Sequence, residues 1–207
     1  MDKLALVDLL GYFPTSATEF FGIASMLCHF VGFYLYGAHV LKGRIKPNIA
    51  TWGMWLFGEI VDLITYDSIK GSHWTTNAGP FACTVGVLGI STLIIFQHLR
   101  GVIKGTKTEY QPLEKADKYW VIPDVTAFLL WLKGLGTLGN FVSVGTTVVQ
   151  YLPMYRETYR DPSTEQAGPW IWWSTAYLCT LLAVITGPGA ESVALYFLPI
   201  YYFAIDA

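Results

Sequence analysis

Long apolar stretches separated by short polar turns fill the chain, and their spacing predicts seven helices. The stretches run 19–41, 49–69, 78–99, 120–132, 138–155, 169–186 and 190–207. A helix needs about 20 largely apolar residues to cross a bilayer, and most of these meet or approach that length. Thr15 and Ser16, just after Pro14, supply a start signal for the first helix. Pro169 falls in the first turn of the sixth, where its missing N–H costs nothing. Pro153 is expected to kink or end the fifth, and Pro199 to interrupt the seventh. The third is rich in Gly, Ser and Thr, which suits close helix packing in a membrane.

The second stretch departs from a simple apolar pattern. On a helix, Trp52, Trp55, Glu59, Asp62 and Tyr66 share one face, because steps of three and four return to the same side. Two carboxylates facing lipid near mid-helix would each cost roughly 2.5–3.5 kcal/mol. That face is therefore expected to look into a helix bundle or a wet cavity.

Composition agrees with a polytopic all-α membrane protein. The chain has 207 residues, 53% hydrophobic and only 14% charged, against about 25% charged in an average soluble domain. A net charge of −2 with no basic cluster gives nucleic acid nothing to hold. Cys28, Cys83 and Cys179 all lie in apolar stretches without metal-ligand spacing, so no disulfide framework, metal or cofactor is expected. The chain carries no Walker loop, Gly-x-Ser-x-Gly or His-Glu-x-x-His, and the seventh stretch has no lysine for a retinal Schiff base, so no enzyme activity is expected. Residues 1–17, with Asp2, Asp8 and Pro14, read as an interfacial segment rather than a cleaved signal peptide.

Charge and repetition set the topology. If seven spans alternate sides, ten of the thirteen basic residues share one side and only Lys3, Lys70 and Lys133 fall opposite. By the positive-inside rule the N-terminus is outside and the C-terminus cytoplasmic. Shifting the chain by 118 residues lays Trp52 on Trp170 and Trp55 on Trp173, with Lys42 on Arg160. Spans one to three then match spans five to seven, and span four resets the direction. The organisation is a first bundle at 18–100, a cytoplasmic linker at 101–119, a linker helix at 120–136 and a second bundle at 137–207. A parallel repeat of this kind is one of the symmetries used by transporters.

A three-plus-one-plus-three arrangement with its N-terminus outside resembles the SWEET and PQ-loop superfamily, over roughly residues 18–206. The turn Lys46-Pro47-Asn48-Ile49-Ala50-Thr51-Trp52 and the stretch Gln150-Tyr151-Leu152-Pro153 followed by Pro162-Ser163-Thr164-Glu165 are similar to a bacterial PQ-loop-like branch. The Pro-Gln dipeptide that names the family is absent from both copies. Pnu-type vitamin transporters are also similar. The resemblance implies an alternating-access carrier of a small polar solute such as a sugar, amino acid or vitamin. A receptor or structural membrane subunit is the alternative. Expected partners are the lipid bilayer, the solute, and further copies of the chain or other membrane subunits. Short loops and no targeting segment point to a bacterial inner membrane.

The candidate site residues follow from the polar positions inside spans. Glu59 and Asp62, one turn apart in low dielectric, should not both ionise, which suits proton coupling or a cationic substrate group. The alternative is bonding to neighbouring helices. His29 lies mid-span in the first helix and is a candidate relay to the carboxylates. Asn140 and Gln150 are candidates for substrate hydrogen bonds or for helix packing. Asp124 is expected to cap the fourth helix. Lys133 is expected to snorkel to the outer interface, and Glu191 to be solvated. Trp52, Trp55, Trp170 and Trp173 suit an interfacial belt or an inner gate, and Trp120 and Trp131 a belt.

Overall fold

The computed structural model describes residues 16–47, 49–104, 119 and 121–207. Among them are seven α-helices and no strand: α1 (Ala17–Leu41), α2 (Ile49–Asp67), α3 (Trp74–Lys104), α4 (Ile122–Leu132), α5 (Gly136–Arg160), α6 (Ala167–Thr186) and α7 (Val193–Asp206). A 3-10 turn, Pro162–Thr164, joins α5 to α6. The interfacial segment expected at the N-terminus, nearly all of the linker, and Trp120 lie outside the described residues.

The start of α1 is set as its sequence suggests. Ser16 Oγ accepts from the Glu19 N–H, and the Glu19 carboxylate accepts from the Ser16 N–H, a reciprocal capping box. Neither Pro153 nor Pro199 ends its helix. α5 runs on through Pro153 to Arg160, and α7 through Pro199 to Asp206. α3 also contains Pro80 and begins at Trp74, earlier than its apolar stretch. In a packed bundle the neighbouring helices and local adjustments re-satisfy the backbone groups that a proline frees, so the helix continues.

Burial is inside-out relative to a soluble protein. Ser25, His29, Thr65, Asn140, Ser143 and Thr180 are wholly buried, while Leu27, Leu88, Ile95, Phe96, Ile171 and Ile200 face outward. Exposed apolar surface on this scale suits lipid rather than water. α1, the 74–101 part of α3, and α6 are long and apolar enough to cross a membrane. α4 and α7 are apolar but shorter. α2 and α5 are the helices that bring the polar side chains inward, which lowers their apolar content.

The largest helix contact is α1 on α6; α2 packs on α5. α3 lies against both α1 and α2, and α7 against both α5 and α6. α4 rests on α5 and touches α2. Small residues permit the closest approaches. Gly32 lies under the Trp173 indole, Gly86 under the Phe33 ring, and Gly79 beside the hydroxyls of Ser25 and Thr180. Cys28, Cys83 and Cys179 are free thiols.

Candidate functional site

The face of α2 that carries Glu59 and Asp62 is buried against α3, α5 and α7. Glu59 is 8% exposed and Asp62 1%. The Tyr202 hydroxyl of α7 donates to Asp62 Oδ2 at 2.6 Å and lies 3.4 Å from Glu59 Oε1. One hydroxyl thus stands between the two carboxylates. Thr147 of α5 lies 3.2 Å from the same hydroxyl. Asp62 Oδ1 finds no donor. The ion pairs among the described residues, Arg156–Glu157 and Arg160–Glu157, touch neither carboxylate. Buried charge without a basic partner is strongly disfavoured, so this pair is a natural place to hold a proton or a cation.

Asp124 belongs to this polar centre and is not the solvated helix cap expected from its position. It lies in the first turn of α4, is wholly buried and makes no cap bond. It accepts from Gln150 Nε2 at 2.7 Å and from Ser143 Oγ at 3.2 Å. Gly58 of α2 leaves the space that this group fills: a Cβ there would sit 2.8 Å from the Gln150 amide and 3.3 Å from Asp124 Oδ2. Gln150 therefore ties α5 to α4. Asn140 ties α5 to α2, donating to Thr65 Oγ1 at 3.2 Å. Both amides make packing bonds in this conformation.

His29 does not bond the carboxylates. Its Nδ1 lies 3.0 Å from the Ser25 carbonyl, and its ring meets Tyr177 edge-on at 4.9 Å. Its Nε2 has no partner. Ser25 is bonded to Thr180 of α6 at 2.7 Å.

The four paired tryptophans form one aromatic cluster rather than a belt. Ring centroids lie 5.0 Å apart for Trp52–Trp55, 6.1 Å for Trp55–Trp170 and 4.9 Å for Trp170–Trp173. Phe33, Tyr36 and Tyr151 join it. Trp52, Trp55 and Trp173 are buried, because the helices bring them between α1, α2, α5 and α6. The indole N–H groups of Trp55 and Trp173 have no acceptor. Trp131 instead donates to Ser68 Oγ at 3.0 Å. Lys133 and Glu191 are exposed.

Below the cluster is a cavity of about 20 Å³, lined by Phe33, Trp55, Glu59, Cys83, Tyr151 and Asp206 among others. It is large enough for one water. An open cleft of about 330 Å³ lies beside it, between α5, α6 and the end of α7, lined by Tyr155, Thr158, Glu165, Trp170 and Asp206. Asp206, which the sequence did not single out, lines both. The Tyr151 hydroxyl donates to Asp206 Oδ1 at 3.0 Å.

Glu165, in the turn before α6, latches the cluster from outside. Its carboxylate accepts from Tyr36 at 3.4 Å and from the Trp170 indole at 3.4 Å. Tyr36 in turn accepts from the Trp52 indole at 3.1 Å. Burial pushes the Glu165 carboxyl up to about 7, against the hydrogen bonds, which favour the ionised form. Asp161, nearby and exposed, is held below the usual carboxylate range by the Ser163 hydroxyl and N–H. A folded pKa above the unfolded one means the folded protein binds the proton more tightly. The Glu165 contribution is then full below about 4.5 and lost as pH rises through about 7. Partial exposure limits it to about 2 kcal/mol. Unfolding in detergent at pH 4.5 and 8 should register this loss, and Glu165→Gln should flatten it. An unchanged slope in the variant would place the pH dependence elsewhere.

Set against models of known protein families, curated proteins and solved structures, the chain finds no match.

Proposed function

We propose that the chain is a seven-span membrane carrier, SWEET-like in architecture, that moves a small polar solute by alternating access. The observation that carries this is the pair Glu59 and Asp62. They are buried between helices of the two halves with no basic partner among the described residues, and Glu59 borders a water-sized cavity. Polar residues held inside a lipid-facing bundle are costly, and they mark solute or ion paths.

Contacts that come in pairs related by the shift of 118 positions support the repeat. Trp55 packs on Tyr151 at 4.6 Å, and Trp173 on Phe33 at 4.9 Å. Thr18 bonds Thr186 at 3.1 Å between their hydroxyls, and Gly136 abuts Ser68 at the matching place. The Lys46 N–H donates to the Thr164 carbonyl, joining the two matched turns at 3.3 Å. Exchanging α1, α2 and α3 for α5, α6 and α7 preserves the main helix contacts. Motion of one triple bundle against the other around a shared midplane is the expected use of such a repeat. Segregation of the basic residues supports a cytoplasmic C-terminus, and the membrane is a bacterial inner membrane on this proposal.

A second reading has its own observation. The centre is tightly bonded, and its cavity has room for only one water. That suits a binding or assembly subunit that never opens. Uptake into proteoliposomes under an imposed pH gradient separates the two, with sugars, amino acids and nucleosides offered. Gradient-driven accumulation that falls by about tenfold or more in the Glu59→Gln/Asp62→Asn variant is the result expected of the carrier. Folded wild-type protein that takes up nothing would favour the subunit.

A further inference from the structure

We infer that Asp206 is the inner port of a proton route that runs from the open cleft through the small cavity to Glu59 and, across the Tyr202 hydroxyl, to Asp62. The inference rests on the carrier reading and adds the path by which a coupling proton would reach its centre.

The geometry has three links. The cleft is open on one side and meets the cavity at Asp206, the residue that lines both. The cavity has room for one water, and Asp206 and Glu59 are both on its wall. One water there would have two carboxylates and the unpaired Trp55 indole N–H as partners, which is the set a buried water needs. Beyond the cavity, Tyr202 Oη lies 3.4 Å from Glu59 and donates to Asp62 at 2.6 Å. Asp62 Oδ1, in a residue 1% exposed, ends the line without a partner.

Among the described residues, the groups facing Asp206 leave the route free of fixed positive charge. α5 presents the Tyr151 and Tyr155 hydroxyls, and Tyr151 donates to Asp206. α2 presents Glu59, α3 presents Cys83, and α6 presents Tyr177. The turn before α6 presents Glu165 across the cleft. Lys and Arg are absent from both linings. In each step a proton moves from one oxygen to the next and no other bond changes, so no further reactant is required.

Infrared difference spectroscopy after release of a caged proton tests this without any solute. The carboxylic C=O band that disappears in Glu59→Gln reports the proton on Glu59. In Asp206→Asn that band should rise on the order of tenfold more slowly, to the wild-type amplitude, and Asp206→Glu should restore the rate. An unchanged rate in Asp206→Asn overturns the proposal. A second variant leaves every carboxylate in place: Ala167→Cys, in the cleft, modified with a bulky maleimide. It should slow the band as well, relative to wild type treated the same way, and a rate equal to that control also overturns the proposal. Because neither measurement needs transport, a failed uptake assay and a failed proton route give different results.

Discussion

Tyr202→Phe is expected to cut pH-gradient-driven accumulation by about tenfold or more while leaving the fold intact. The hydroxyl is the one group within reach of both Glu59 and Asp62. Its loss removes the 2.6 Å bond that Asp62 Oδ2 accepts. A hydrogen bond to a charged group contributes about 1.5–3 kcal/mol, so unfolding in detergent should register a loss of that order. The ring itself should stay in place. It stacks on Tyr177 at 4.7 Å, a contact that phenylalanine keeps. Solute exchange with no pH gradient should survive better than accumulation, because exchange requires no net proton movement. Equal loss of both would make Tyr202 a solute-binding or packing residue instead.

The largest stability effects should come from single methyl groups. Gly32→Ala and Gly86→Ala are each expected to cost about 3 kcal/mol, at or above the upper end for overpacking. A Cβ at Gly32 would enter the Trp173 indole, and one at Gly86 the Phe33 ring. Both rings are held by packing: Trp173 and Phe33 are buried in the aromatic cluster and lie against one another at 4.9 Å. Gly53→Ala and Gly89→Ala provide the contrast. Both positions are helical with open space around the new atom. There the better helix propensity of alanine should stabilise by roughly 0.5–1 kcal/mol. Detergent melting curves of the four variants would read both signs. A mild effect at Gly32 or Gly86 would mean that the cluster can shift as a body.

Helix number and approximate bounds were legible in the sequence because apolar runs and polar turns alternate so sharply. The second helix declared its inward face through Glu59 and Asp62, since lipid has no use for carboxylates. What escaped was pairing at long range. Tyr202 meets Asp62 across 140 positions, and nothing local to Tyr202 distinguishes it from the other tyrosines of the last helix. Asp124 looked like a cap because it sits at a helix start; only the arrival of Gln150 and Ser143 from α5 makes it part of the centre. Asp206 fell outside the polar positions considered, and its place between two cavities depends on how α7 lies against α5 and α6. The paired tryptophans lie near the starts of α2 and α6. Depth along a helix, though, does not say whether a side chain turns toward headgroups or toward another helix. The prolines did not end their helices, because the helix-ending rule weakens where neighbours take over the backbone bonds.

The contact between α1 and α6 has a consequence for how the chain is made. Ser25 meets Thr180 across 155 positions, so α1 must wait for α6 to complete its packing. Until then the inner face of α1 is only partly covered: α3 reaches Ser25 and His29 at Gly79, while the bare backbone at Gly32 waits for Trp173 of α6. Long waits of this kind slow assembly and leave surfaces open to wrong partners. The packing of α1 is therefore completed only across the two halves, and any lag in synthesis ahead of residue 167 prolongs the time for which its Gly32 face stands unmatched.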